Sequence, residues 1–186
     1  AGALSALLGK GDVVEYWAHE ACIVPVEDWP LFRRRMRERS VHHWWGDVIG
    51  GDKPLARAVL RAIEKNGPMA SRDFDGAEGG GIRPERGGEA GHKPGGMWNL
   101  KPEKRMLDAL WTAGKLVVCA RDGFQRRYDL PERVLPPRVL DAPVPTEAHV
   151  LEGLSLRAIR ARGILTERGV LEHYRLMPER EGVRKA

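Results

Sequence analysis

The 186-residue chain carries 31 Lys and Arg against 26 Asp and Glu, a formal net charge of +5, and 42% of its residues are hydrophobic. That hydrophobic share excludes wholesale disorder, and the length fits one ordinary domain or two small ones. Two cysteines far apart, Cys22 and Cys119, exclude a disulfide scaffold and suit a reducing, cytoplasmic setting; no apolar run approaches the ~20 residues of a membrane span.

Residues 1–50 hold Trp17, Trp29, Trp44 and Trp45 and the run LFRRRMRER. Glu15, Tyr16, Trp17 and His19 precede a helix expected to begin near Glu27. Alternation along a strand would put Glu15 and His19 on one face, either as an acid–base pair in a cleft or as a polar cluster pinning the strand. His19-Glu20 opens the zinc pattern H-E-x-x-H, but Ile23 stands where the second histidine belongs. Neither His19 with Cys22 nor His42 with His43 completes a ligand set, so no metal is expected. Arg34, Arg35 and Arg39 form a stripe on the helix, with Leu31, Phe32 and Met36 on its buried side. A solvated charged face and a DNA-facing surface beside Trp44 and Trp45 both fit that stripe.

Residues 51–135 give the clearest pattern. In PLARAVLRAIEKNG, Leu55, Ala58, Val59, Ala62 and Ile63 recur at helical spacing, with Pro54 in the first turn and Gly67-Pro68 ending the run. Ser71 is a candidate N-cap for a short second helix. The glycine-rich stretch from Gly76 to Gly96 lacks both G-x-G-x-x-G and a Walker lysine, which makes it a surface insertion rather than a phosphate cradle. A third helix follows in NLKPEKRMLDALWTAGK, capped by Asn99 and ended by Gly114. Lys101, Lys104, Arg105, Asp108 and Thr112 fall on one face, opposite Met106, Leu107 and Leu110. KLVVCA and RRYDL then read as two strands joined through Arg121-Asp122-Gly123-Phe124, an Asp-Gly hairpin signal.

Helix, short helix, basic helix and hairpin is the order of a winged helix-turn-helix. Its third helix would enter the major groove, and its hairpin would reach an adjacent groove or the backbone. Lys101, Lys104 and Arg105 would contact phosphates and base edges, and Arg121, Arg126 and Arg127 would contact phosphates. The same architecture also serves non-enzymatic regulators and protein-interaction modules. RVLPPRVLDAPVP reads as an extended, non-helical linker over residues 136–145. In residues 146–186, Thr146 and Thr166 cap two further helices and Pro178 opens a third, the start of another winged unit without its wing. The expected fold is thus helix-rich α+β with tandem winged-helix units, one complete and one truncated at the C-terminus. Ser71, Ser155 and Cys119 lack the setting of an activated nucleophile.

EYWAHEACIVPVEDWPLFRRRM, NLKPEKRMLDALWTAGKLVV and GFQRRYDLPERVLP resemble, in order, blocks of the YcaQ-like winged-helix DNA glycosylases. The resemblance implies tandem winged helices around a DNA-binding concave surface. It also implies excision of alkylated bases, unhooking of interstrand crosslinks, double-stranded DNA as the partner, a monomer, and no metal or organic cofactor. The family's catalytic motif, Gln-x-Asp or Gln-x-Gln, lies upstream of the block that here reads EYWAHEA. Glu15, Tyr16, Trp17 and His19 would therefore border the active site. The single glutamine, Gln125, is followed by Arg126-Arg127, so no catalytic residue is carried over. The expectation is a DNA-binding central portion of such an enzyme, beginning after the catalytic segment and ending inside a later winged helix.

Overall fold

In the computed structural model, which describes residues 2–38, 46–74 and 100–176, the chain opens with helix α1 (Gly2–Lys10). Strands β1 (Val13–Trp17) and β2 (Ala21–Pro25) follow as an antiparallel hairpin with Val14 opposite Val24 and Tyr16 opposite Cys22. Val14, Glu15 and Tyr16 are all buried, so β1 is covered on both faces. A 3-10 turn at Val26–Asp28 leads into α2 (Trp29–Glu38), which buries Trp29, Leu31, Phe32 and Met36. The Tyr16 ring lies 5.8 Å from Trp29 and 5.5 Å from Phe32, edge and tilted contacts that add to plain area burial.

After α3 (Val48–Gly51), α4 spans Lys53–Asn66. Asp52 caps it by accepting from the Leu55 N–H at 2.9 Å, and Pro54 sits in its first turn, where no donor is needed. Leu55, Ala56, Val59 and Ile63 face inward, and Gly67 ends the helix. The expected second helix is a single 3-10 turn, Ser71–Phe74. Its cap bond runs from the Ala70 N–H to the Asp73 carboxylate at 2.9 Å. The Gly76–Gly96 stretch and Asn99 lie outside the described residues, as do Arg39, His42, His43, Trp44, Trp45 and Pro178.

Helix α5 (Pro102–Thr112) has Pro102 in its first turn and Lys101 at the N-cap position. Met106, Leu107, Leu110 and Trp111 are fully buried. Thr112, expected on the basic face, is buried instead. Its carbonyl accepts from the Tyr16 hydroxyl at 2.8 Å, and its hydroxyl from the Trp17 indole at 2.9 Å. Strands β3 (Val117–Asp122) and β4 (Gln125–Asp129) form the second hairpin, with a bulge between Val118 and Ala120. Asp122 pairs with Gln125, so the loop is Gly123-Phe124, one residue later than an Asp-Gly turn. Gly123, at φ 60°, takes the first central position that a type II′ turn reserves for glycine. Met69 and Tyr128 exchange backbone hydrogen bonds of 3.0 and 2.8 Å, which adds a bridge to the other edge of β4.

The proline-rich segment is helical in two places rather than extended throughout. Pro131 and Pro137 open two one-turn helices, α6 (Pro131–Val134) and α7 (Pro137–Leu140), each at a position whose N–H would be unsatisfied anyway. Leu135 and Val139 are buried, and Arg33 of α2 donates to the carbonyls of Val139, Leu140 and Ala142. Helix α8 (Glu147–Arg162) is capped by Thr146, and α9 (Glu167–His173) by Thr166. Leu151, Leu154 and Ala158 of α8 are buried, Gly153 of the same helix meets Leu31 of α2, and Arg157 pairs with buried Asp28. One buried apolar cluster runs from Leu8 to Leu176. Among the described residues the fold is helix-rich α+β with two antiparallel two-stranded sheets.

Candidate nucleic-acid interface

Helix α5 is held at its C-terminal half by the aromatic core, which leaves its first turn at the surface. Lys101 and Lys104 are exposed, while Arg105 and Asp108 are half-buried. Beside it stands the β3–β4 hairpin, braced from three directions. Arg72 pairs with Asp122 near the tip, the Ser5 hydroxyl donates to the Arg121 carbonyl at 3.0 Å, and Arg127 donates to the Pro68 carbonyl at 2.6 Å.

The deepest brace is ionic. Glu15 is 1% exposed, and its carboxylate accepts from Arg121 Nε at 3.0 Å and Nη2 at 2.7 Å, and from Arg126 Nε at 2.7 Å. Arg126 also lies over the Trp111 ring, 4.4 Å from its centroid, and the Trp111 indole donates to the Glu15 carbonyl at 2.9 Å. A buried carboxylate is tolerable only when it is paired and hydrogen-bonded in this way. Tyr128 donates to Asp108 at 2.8 Å, which joins β4 to α5. Burial pushes the Asp108 carboxyl above its ordinary value of 3.8, against the opposing pull of the Tyr128 bond and of Arg126 and Lys104. Burial likewise pushes the Cys119 thiol up to about 11, so it is not an activated nucleophile.

Between helix and hairpin lies a polar notch of about 180 Å³, with Ser71, Lys104 and Asp108 on one side and Arg121, Gln125 and Arg126 on the other. Phe124 stands over it at the hairpin tip, 98% exposed. Lys104, Arg121 and Arg126 are thus brought together, but the two guanidiniums are already turned toward Glu15. Arg127 reaches the Pro68 carbonyl and Asp73, at 2.6 and 3.4 Å.

The other sequence-selected residues lie elsewhere. Arg34 pairs with Glu38 at 2.7 Å and Glu147 at 2.6 Å. Arg35 donates to the carbonyls of Trp17, Ala18 and Tyr174, which fastens α2 to the β1–β2 turn and to the end of α9. Tyr16 and Trp17 serve the core through Thr112. Glu15 and His19 have different surroundings: Glu15 is buried on β1, which ends at Trp17, and His19 sits in the exposed turn with Nδ1 2.9 Å from the Glu172 carbonyl. Sequence reasoning missed Trp111, the Tyr128–Asp108 bond and Phe124. An aromatic next to a turn glycine was the available signal for Phe124. No pattern signals a partner for Glu15 more than 100 residues away. Among the described residues no group of three or more His, Cys, Asp or Glu is placed to hold a metal ion. None of their helices is long and apolar enough to cross a membrane.

No solved structure matches the chain. The family model described as DNA glycosylase AlkZ-like matches residues 1–186. A match over the whole length, on a chain whose exposed α5 cations and braced hairpin enclose a polar notch, places this chain in the AlkZ-like DNA glycosylase family.

Proposed function

We propose that this chain is the DNA-holding portion of a cytoplasmic repair glycosylase that removes alkylated bases and unhooks interstrand crosslinks. In this reading α4, the Ser71–Phe74 turn, α5 and the β3–β4 hairpin form a winged helix-turn-helix, and α8 with α9 begins a second. The first turn of α5 sits in the major groove, with Lys101 and Lys104 on phosphates and base edges. The hairpin reaches the neighbouring groove, and the backbone between them passes over the notch.

The observation that carries the proposal is Phe124. A phenylalanine exposed to 98% adds nothing to the core. It stands on a hairpin fastened by Arg72–Asp122 and by Glu15 with Arg121 and Arg126, which suits an apolar wedge pressed against a base step. Such a wedge lowers the cost of extruding a base, which a glycosylase requires. The chemistry of excision needs a group that activates water and stabilises a cationic sugar. The motif that supplies it in the family has no counterpart in this sequence, so no catalytic residue is assigned.

Duplex binding measured at two salt concentrations tests the proposal. The chain should bind with little sequence preference, lose affinity steeply as salt rises, and weaken on Lys101→Ala with Lys104→Ala. It should release no base from alkylated duplex. A strong preference for one defined, palindromic duplex would favour a regulator instead, and release of an alkylated base would show that the catalytic groups lie within these residues.

A further inference from the structure

Most guanidiniums that look free in the sequence are engaged in the structure. Arg34 and Arg35 of the arginine run, Arg121, Arg126 and Arg127 of the hairpin, and Arg133, Arg138, Arg157 and Arg175 all reach an acid or a carbonyl. Arg37 on α2 and Arg160 on α8 are exposed without such a partner among the described residues, and helix α4 carries a whole row of cations in that state. Lys53, Arg57, Arg61 and Lys65 are all exposed, and none forms an ion pair or hydrogen bond through its side chain among the described residues.

The four recur every fourth residue, so they advance about 6 Å per step along the helix and drift only slowly around it. Their stripe is centred opposite Leu55, Val59 and Ile63, the buried residues by which α4 packs on the rest of the fold. It therefore faces outward along most of the helix. Glu64 shares that side, but its carboxylate pairs with none of the four.

Local physics disfavours this pattern. Lys53-Arg57, Arg57-Arg61 and Arg61-Lys65 are like charges at i,i+4, each destabilising, and Lys53 opposes the helix dipole at the N-terminus. The same protein places complementary pairs at that spacing elsewhere, Arg34–Glu38 on α2 and Arg168–Glu172 on α9. A helix face chosen only for solvation would resemble those. The α4 stripe also carries no exposed large apolar side chain, which protein-binding surfaces use as anchors. A row of unpaired cations without an apolar anchor fits a uniformly anionic rod. Duplex DNA, with a charge about every 1.7 Å of its axis, is such a rod.

We infer that the exposed face of α4, Lys53-Arg57-Arg61-Lys65, is a second DNA-backbone contact, separate from the α5 face and the hairpin. The inference rests on the proposed DNA-holding role. The duplex would touch the unit on two sides, which requires either a bent path or two duplex segments, and it would contact α4 without reading sequence.

The test compares three forms of the full chain on a random-sequence duplex: wild type, K53Q/R57Q/R61Q/K65Q, and K101Q/K104Q. Each phosphate contact contributes about 0.9 to the slope of log K against log salt. The α4 variant should therefore flatten that slope by about 3 to 4, with its thermal midpoint held or raised. An α4 variant with wild-type slope and affinity would leave the stripe to an acidic protein partner and overturn the inference. Loss of binding in the α4 variant alone would keep the inference and remove the α5 face. A wild-type chain that fails to bind duplex at low salt would remove the proposed function, and the inference with it.

Discussion

Glu15 and Arg121, 106 residues apart, meet as a forked pair in which Nε and Nη2 of the guanidinium reach the carboxylate at 2.7–3.0 Å. Arg126 closes on the same carboxylate from the paired strand. This contact fixes the hairpin to β1 and hence to the aromatic core around Tyr16 and Trp111.

Glu15→Gln should destabilise the chain by about 3 kcal/mol, the lower end of what breaking a buried ion pair costs. The arginines remain partly exposed and can recover water, which keeps the loss from being larger. Urea unfolding of the variant against wild type measures this. A loss below about 1 kcal/mol would mean that the pair is dispensable for the fold. Arg121→Ala combined with Arg126→Ala should cost more than Glu15→Gln, because it leaves the buried Glu15 carboxyl without either of its charged partners.

Asp108 gives a pH dependence of definite sign. Its folded carboxyl titrates above its ordinary value of 3.8, because burial outweighs Tyr128, Arg126 and Lys104. Between the two values the folded state holds more protons than the unfolded one, so this group's contribution falls as pH rises through that window. Asp108→Asn keeps an acceptor for Tyr128 and removes the titration. The variant should therefore gain stability relative to wild type as pH rises from below 3.8 toward neutrality. Denaturation across that range checks it, and a difference that does not change with pH would refute the assignment.

Local signals in the sequence predict α4, α5, α8 and both ends of the β3–β4 hairpin, because apolar spacing, proline and capping residues act within a few residues. The proline-rich segment misled because proline forbids helix interiors but suits first turns, and two one-turn helices consist almost wholly of first turns. The arginines misled for another reason. Charge is visible in a sequence but its partner is not, and Arg34, Arg35, Arg121 and Arg126 find partners on other elements. The α4 cations were equally visible, yet only the structure shows that they lack partners among the described residues.

Gly114 ends α5 with φ 68°, and a Cβ added there would lie 2.5 Å from the Met36 sulfur of α2. Gly114→Ala pays both the left-handed backbone penalty and a displaced methionine, together about 2 kcal/mol. Adding Met36→Ala removes the collision but opens a cavity and leaves the backbone term. The double variant should therefore be less destabilised than the sum of the two singles. Additive losses in thermal or urea unfolding would show that the Cβ never meets Met36.

Phe124 separates folding from binding most cleanly. At 98% exposure its side chain contributes almost nothing to the core, so Phe124→Ala should leave the unfolding midpoint unchanged. If its ring presses against a base step, the substitution removes stacking worth about 1–3 kcal/mol, and duplex affinity falls between about 5-fold and about 150-fold. A fluorescent adenine analogue next to the contacted step should brighten when wild type binds, as stacking is lost, and stay dim with Phe124→Ala. Phe124→Trp retains a wedge and should restore both signals. Equal affinity and equal fluorescence for wild type and Phe124→Ala would assign the exposed ring to something other than DNA.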